Sequence, residues 1–169
     1  MLNDAKSLQE EISNELTYHI KDPEVFQILP NLFLGNYAMA LNMKKLEELH
    51  ITHILNCAIG LKNFYEKTGK FSYLYIPLYD AKTERLEKYL ESTNNFIEKG
   101  TEGENKILVH CGAGVSRSVS IIMMYLIMKK GYTFESAKKL MVEKRGGARP
   151  NEGFENQLRE KSLEIHKKF

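Results

Sequence analysis

Cys111 and Arg117 stand six residues apart in His110-Cys111-Gly112-Ala113-Gly114-Val115-Ser116-Arg117-Ser118, with two glycines between them. The apolar run Ile107-Leu108-Val109 before this stretch has the form of a buried strand, and Val119 to Met128 after it has the length of a buried helix. The nine residues are therefore a strand-to-helix turn. Successive backbone N–H groups in such a turn, together with a helix N-terminus, make a concave anion site. The same positive field stabilises a thiolate, the reactive form of cysteine. Arginine adds a planar fork of donors that matches a phosphate. A nucleophile at the floor of a phosphate cradle implies attack on phosphorus. Gly112 and Gly114 let the backbone approach the anion closely, and the amides of residues 112–117, with Ala113, Val115 and Ser116 among them, complete the cradle.

The elements that must position this turn are legible in outline. Leu8, Ile12, Leu16 and Ile20 predict an amphipathic helix over residues 1–20, closed by Pro23. Phe26–Leu29 and Leu32–Leu34 flank Pro30-Asn31 as a hairpin. A helix is expected over Tyr37–Leu49, a strand over Ile51–Cys57, a loop over 58–70, a strand over Phe71–Leu78 and a helix over Thr83–Lys99. After the polar turn at Gly100–Asn105 come the strand at 106–110 and helices near 117–130, 133–145 and 152–167, punctuated by Gly131 and Gly146-Gly147. Strands alternating with helices predict a single α/β domain. Its central, mainly parallel sheet has about five strands flanked by helices, and the phosphate loop lies between the last strand and the following helix. Ligands bind such sheets at the carboxyl ends of the strands. The division expected is an N-terminal helical extension, residues 1–23, and a catalytic domain, residues 24–169.

Composition narrows the function. The chain has 169 residues, 43% of them hydrophobic, which suits one domain with a real core. Its formal charge of +2 gives no argument for a nucleic-acid partner. The longest apolar run, Ile121–Met128, is too short to span a bilayer. Neither a signal peptide, a Gly after Met1, nor a prenylatable C-terminal Cys is present, so no membrane is expected. Two cysteines without an export signal point to the cytoplasm, or the nucleus, with free thiols. His50 and His53, with terminal His19 and His166, lack the carboxylate company of a metal site, so neither metal nor cofactor is expected.

The His110–Ser118 stretch resembles the His-Cys-x-x-Gly-x-x-Arg-Ser/Thr signature of cysteine-dependent protein phosphatases, and its Ala-Gly-x-Ser-Arg-Ser form is most like the dual-specificity branch. The resemblance extends over roughly residues 24–165, through Pro30–Gly35, Ile51–Asn56 and Arg149–Phe154 with Gln157-Leu158. It implies a phosphorylated protein as partner and hydrolysis of phosphotyrosine and phosphoserine or phosphothreonine through a cysteinyl phosphate. Cys111 is then the nucleophile and Arg117 the group that follows the phosphoryl charge into the transition state. His110 orders the loop and supports the thiolate. Ser118 helps the thiolate leave in the second step; otherwise it is a helix cap.

A general acid must protonate the leaving oxygen. Of only three aspartates, Asp4 and Asp22 lie near the N-terminus, whereas Asp80 lies in the loop before the Thr83–Lys99 helix, 31 residues ahead of Cys111. That place suits the family's acid loop, and Glu84 is the alternative. By resemblance Asn151 braces the phosphate loop from behind; Arg149 is either part of the site or a solvated charge. Other readings stay open: a phosphoinositide or RNA 5′-phosphate as substrate, disfavoured by the uncharged Gly, Ala, Gly, Val and Ser between Cys111 and Arg117, or a phosphate-binding scaffold, disfavoured by Cys111 itself. Some phosphatases of this family shelter an oxidised nucleophile in a disulfide. Here only Cys57 is available for that; otherwise it is a small core residue.

Overall fold

The computed structural model describes residues 22–167. The helix expected over residues 1–20, and with it nearly all of the 1–23 extension, lies outside them.

Five strands form one sheet in the order β1-β2-β5-β3-β4. They are β1 (Val25–Leu29), β2 (Leu32–Gly35), β3 (His53–Asn56), β4 (Ser72–Tyr75) and β5 (Ile107–His110). The β1–β2 hairpin is antiparallel, and every other pair is parallel. The helices are α1 (Tyr37–Ala40), α2 (Met43–Glu48), α3 (Leu90–Thr101), α4 (Arg117–Lys129), α5 (Phe134–Lys144) and α6 (Glu152–His166). The α/β domain with a mainly parallel sheet is the one the alternation predicts.

Central strand β5 is buried at all four residues and divides the interior in two by its period of two. Ile107 and Val109 face one core with Leu34, Leu55, Ile97, Phe154 and the residues of α4; Leu108 faces the other with Phe33, Ile54, Tyr37 and Leu46. Helix α4 is buried from Ser118 to Ile127, which explains its lack of a polar stripe.

Four expected elements come out shorter or divided. The Tyr37–Leu49 helix is two, because Asn36 and Asn42 each cap a new start, their Oδ1 atoms accepting from Met39 N at 2.9 Å and Lys45 N at 3.0 Å. The Ile51–Cys57 strand pairs only over His53–Asn56, since Ile51 N is spent on Leu46 O of the preceding helix at 3.0 Å. The Phe71–Leu78 strand ends at Tyr75, just before Pro77, which has no N–H for a ladder. The Thr83–Lys99 helix begins only at Leu90, after a 3₁₀ turn at Glu87–Tyr89, because residues 82–86 are drawn onto α6 instead.

Candidate active site

Four chain segments leave the carboxyl edge of the parallel strands and meet around residues 111–116. Tyr37 N, after β2, donates to Gly112 O at 2.9 Å, and Cys57 N, after β3, donates to His110 O at 2.8 Å. Beyond β4, Leu78 O accepts from Arg117 Nη1 at 3.2 Å.

The loop after β5 is held by its carbonyls. Cys111 O lies 3.1 Å from His110 Nδ1, and Gly112 O takes Tyr37 N. Ala113 O and Gly114 O accept from Arg145, at Nη2 (3.4 Å) and Nε (2.7 Å). Val115 O accepts from Arg149 N at 2.9 Å, and Ser116 O from Ser120 N (2.9 Å) and Ser120 Oγ (2.7 Å). Every carbonyl from Cys111 to Ser116 thus has an outside donor. In a trans peptide the N–H points opposite to the C=O, so the amides of residues 112–117 are turned the other way, as an anion cradle requires. Gly114 is essential to this path: its φ is +67°, and a Cβ there would lie 2.8 Å from Gly35 O.

Cys111 is 2% exposed, and its Sγ lies 3.1 Å from Ser118 Oγ in the first turn of α4. Ser118 is not the cap of that helix; Ser116 occupies the cap position. Arg117 opens the helix with its guanidinium beside the start of the loop, where a Cβ on Gly112 would be 3.4 Å from Nη2. His110 is buried and stacked on Tyr37, ring centroids 5.9 Å apart. Burial first, and the Arg117 charge in addition, push its pKa down to about 4, against a smaller upward pull from Cys111 O. The imidazole is neutral at physiological pH, so what it offers the loop is its hydrogen bond and its stacking, not a charge.

The two carboxylates weighed from sequence separate here. Asp80 Oδ1 accepts from Ser116 Oγ at 2.8 Å and from Asn151 Nδ2 at 2.9 Å, which fastens it to the phosphate loop. Glu84 folds back on its own segment, accepting from Tyr79 N at 3.1 Å and Arg85 N at 3.2 Å. Asn151 has three tasks. Its N–H donates to Ser116 Oγ at 2.9 Å, its Oδ1 caps α6 through Phe154 N at 2.9 Å, and its Nδ2 holds Asp80. Arg149 reaches the loop through its backbone, and its side chain is exposed. Among the described residues no three His, Cys, Asp or Glu side chains gather in a way that could hold a metal.

Arg145 is the residue the sequence reading missed. Besides its two carbonyl contacts it pairs with Glu24 at 3.2 Å and lies over the Phe26 ring at 5.0 Å. Its side chain is only 16% exposed, and a single arginine before Gly146-Gly147 carries no signal of that burial.

The model of the dual specificity phosphatase catalytic domain matches residues 32–163. The chain belongs to the dual specificity phosphatase family. It is 38% identical over 144 residues to dual specificity protein phosphatase 9 of Homo sapiens, covering 84% of this chain and 38% of that protein. The chain spans between 15% and 38% of the length of the curated relatives with which it is compared. Human DUSP28 superposes with a TM-score of 0.80 at 26% identity, covering 88% of this chain and 99% of the other. A human tyrosine phosphatase-like serine/threonine/tyrosine-interacting protein superposes with a TM-score of 0.73 at 29% identity, covering 84% and 97%. A phosphatase domain and a phosphatase-like protein both share this fold, so the chemistry rests on the residues in the loop.

Proposed function

We propose that the protein is a cysteine-dependent phosphatase that hydrolyses phosphotyrosine and phosphoserine or phosphothreonine in proteins. The observation that carries this reading is the placement of Cys111 Sγ, 3.1 Å from Ser118 Oγ, in a loop whose carbonyls from Cys111 to Ser116 are all engaged outward. The Cys111 thiolate attacks phosphorus, and the S–P bond forms as the ester P–O bond breaks. The inward amides and the Arg117 guanidinium take the equatorial oxygens, whose charge they stabilise in the transition state. Asp80 gives its proton to the leaving oxygen. Water then attacks the cysteinyl phosphate, Asp80 accepts a proton from it, and the Ser118 hydroxyl donates to the departing thiolate. His110 and Asn151 position the loop and the acid.

The cradle floor between Cys111 and Arg117 has no cationic side chain to match a multiply phosphorylated small molecule, which favours a single phosphoryl group on a protein. Among the described residues no helix is long and apolar enough to cross a membrane. Both cysteines are free thiols, in keeping with a cytoplasmic or nuclear setting as part of the same proposal. The test is hydrolysis of a small aryl phosphate in the presence of a strong chelator, and of matched phosphotyrosyl and phosphothreonyl peptides. Turnover and inhibition by orthovanadate are expected, with no detectable turnover in Cys111→Ser. Full activity in that variant removes Cys111 as nucleophile, and loss of activity on chelation replaces the mechanism with a metal-dependent one.

A further inference from the structure

The segment that carries Asp80 is anchored on both sides. Upstream, Leu78 O is held by Arg117 Nη1 at 3.2 Å. Downstream, the anchor is α6. Gln157 accepts at Oε1 from Leu86 N (2.9 Å) and donates from Nε2 to Glu84 O (2.8 Å), with a further contact to Gly153 O at 3.1 Å. One turn earlier, a Cβ on Gly153 would lie 2.0 Å from Lys82 O, so the segment rests directly on the helix backbone. Lys82 and Glu152 add an exposed ion pair at 2.9 Å. Leu86 itself is fully buried. Residues 82–86 are thus bound to the first two turns of α6, at the helix that also supplies Asn151.

The consequence falls on the carboxyl group. Both donors that reach Asp80, Ser116 Oγ and Asn151 Nδ2, fall on Oδ1. An oxygen accepting two hydrogen bonds is the one that keeps the electron pairs, so in the acid form the proton resides on Oδ2. That choice of oxygen survives only while the anchored segment keeps Asp80 against Ser116 and Asn151.

We propose that Gln157 is a positioning residue for proton transfer: by clamping Glu84 and Leu86 to α6 it holds Asp80 where Oδ2 delivers the proton to the leaving oxygen. This rests on the phosphatase reading above. Gln157 makes no hydrogen bond to the phosphate loop or to Asp80, so its expected effect is on the position of the acid. The experiment measures kcat and KM for two aryl phosphates, one with a poor phenolic leaving group and one with a strongly activated one. The proteins compared are wild type, Gln157→Ala, Gln157→Met, Asp80→Asn and Asp80→Asn/Gln157→Ala. On the poor leaving group Gln157→Ala is expected to lower kcat about 10-fold, a fraction of what a whole general acid supplies. On the activated one it is expected to lower kcat less than about 2-fold, with KM unchanged. In the Asp80→Asn background the Gln157 substitution adds no further loss, since coupled residues are not additive. Gln157→Met keeps the stem and loses the hydrogen bonds, so it reproduces the result if the alanine variant folds poorly. Gly153→Ala, which pushes on Lys82 with Gln157 intact, shows the same leaving-group signature. An equal loss on both esters, or an undiminished loss in the Asp80→Asn background, overturns the proposal while leaving the phosphatase reading intact. A wild-type protein that hydrolyses neither ester overturns the phosphatase reading and this one with it.

Discussion

Replacing Arg145 by methionine removes the donors that hold Ala113 O and Gly114 O while keeping an apolar stem over Phe26. The Nε–Gly114 O bond, at 2.7 Å, is charge-assisted and is worth about 1.5–3 kcal/mol. The Nη2 contact at 3.4 Å adds little, and the ion pair with half-exposed Glu24 adds about 0–1 kcal/mol. A loss of about 3 kcal/mol is expected in all, which in a domain of this size lowers Tm by roughly 6–12 °C. The effect on activity has a separate origin. The two freed carbonyls belong to the peptides whose N–H groups are those of Gly114 and Val115, and these lose their fixed aim. Deleting one oxyanion donor outright costs about 10²–10³-fold, so two donors loosened rather than removed should cost about 10–10²-fold in kcat/KM. Inhibition by orthovanadate should weaken by a similar factor, because it uses the same amides. Glu24→Gln keeps both carbonyl contacts and should stay within about 3-fold of wild type by the same reasoning. The assays are thermal melting, steady-state kinetics on an aryl phosphate and vanadate titration. An Arg145→Met protein that melts lower yet keeps kcat/KM and vanadate affinity within twofold would refute the idea that the carbonyls aim the cradle. A Glu24→Gln protein as impaired as Arg145→Met would point to the ion pair instead.

Three further outcomes are expected. Asp80→Asn should reduce turnover by about 10²–10⁴-fold on poor leaving groups and far less on activated ones, whereas an equal, small loss on all esters would return attention to Glu84. His110 binds its proton less readily in the folded protein, at about 4 against 6.5 for the free side chain. The unfolded chain therefore takes up more protons between those values. Stability is fully present above about pH 6.5 and is lost as pH falls toward 4, by on the order of 3 kcal/mol, and His110→Asn should flatten that slope in denaturant titrations. Cys57 follows Asn56, which is in register with His110, so Cys57 and Cys111 each lie one residue past the ends of adjacent parallel strands, in one core cluster. Ladder neighbours lie about 5 Å apart, within the Cα range that a disulfide spans. Burial, and secondarily the Cys111 charge, push the Cys57 thiol up, which disfavours Cys57 as the first target of peroxide. After peroxide and then thiol reductant, wild type should regain activity and Cys57→Ser should not; equal recovery would dismiss the pair.

The phosphate loop was legible because its chemistry is local. A thiol, two glycines and an arginine between a buried strand and a buried helix mark a candidate anion cradle, and β5 and α4 are the strand and helix that the sequence predicts on either side of it. The alternation of strands and helices likewise determined the parallel sheet, and with it the edge at which the loop emerges. Boundaries were less legible where a distant partner competes. Residues 82–89 have helical composition, yet Gln157 and the bare backbone at Gly153, some 70 residues away in the chain, hold residues 82–86 in an open form. The choice of Asp80 over Glu84 came from the family resemblance and its place in the chain, and local pattern could not show the contacts that separate the two. Both lie in one loop, and only the arrival of Ser116 and Asn151 decides which carboxylate meets the cradle. Arg145 carried no signal at all, because a cation's role depends on what it is buried against. Its value comes from Gly114 O, Ala113 O, Glu24 and Phe26, which the chain brings together only when β1, the phosphate loop and the end of α5 have packed. The sequence by itself thus determined the candidate reactive groups and their spacing. The tertiary structure decided their aim, since hydrogen bonds between segments far apart in the chain form only once the core that holds those segments has closed.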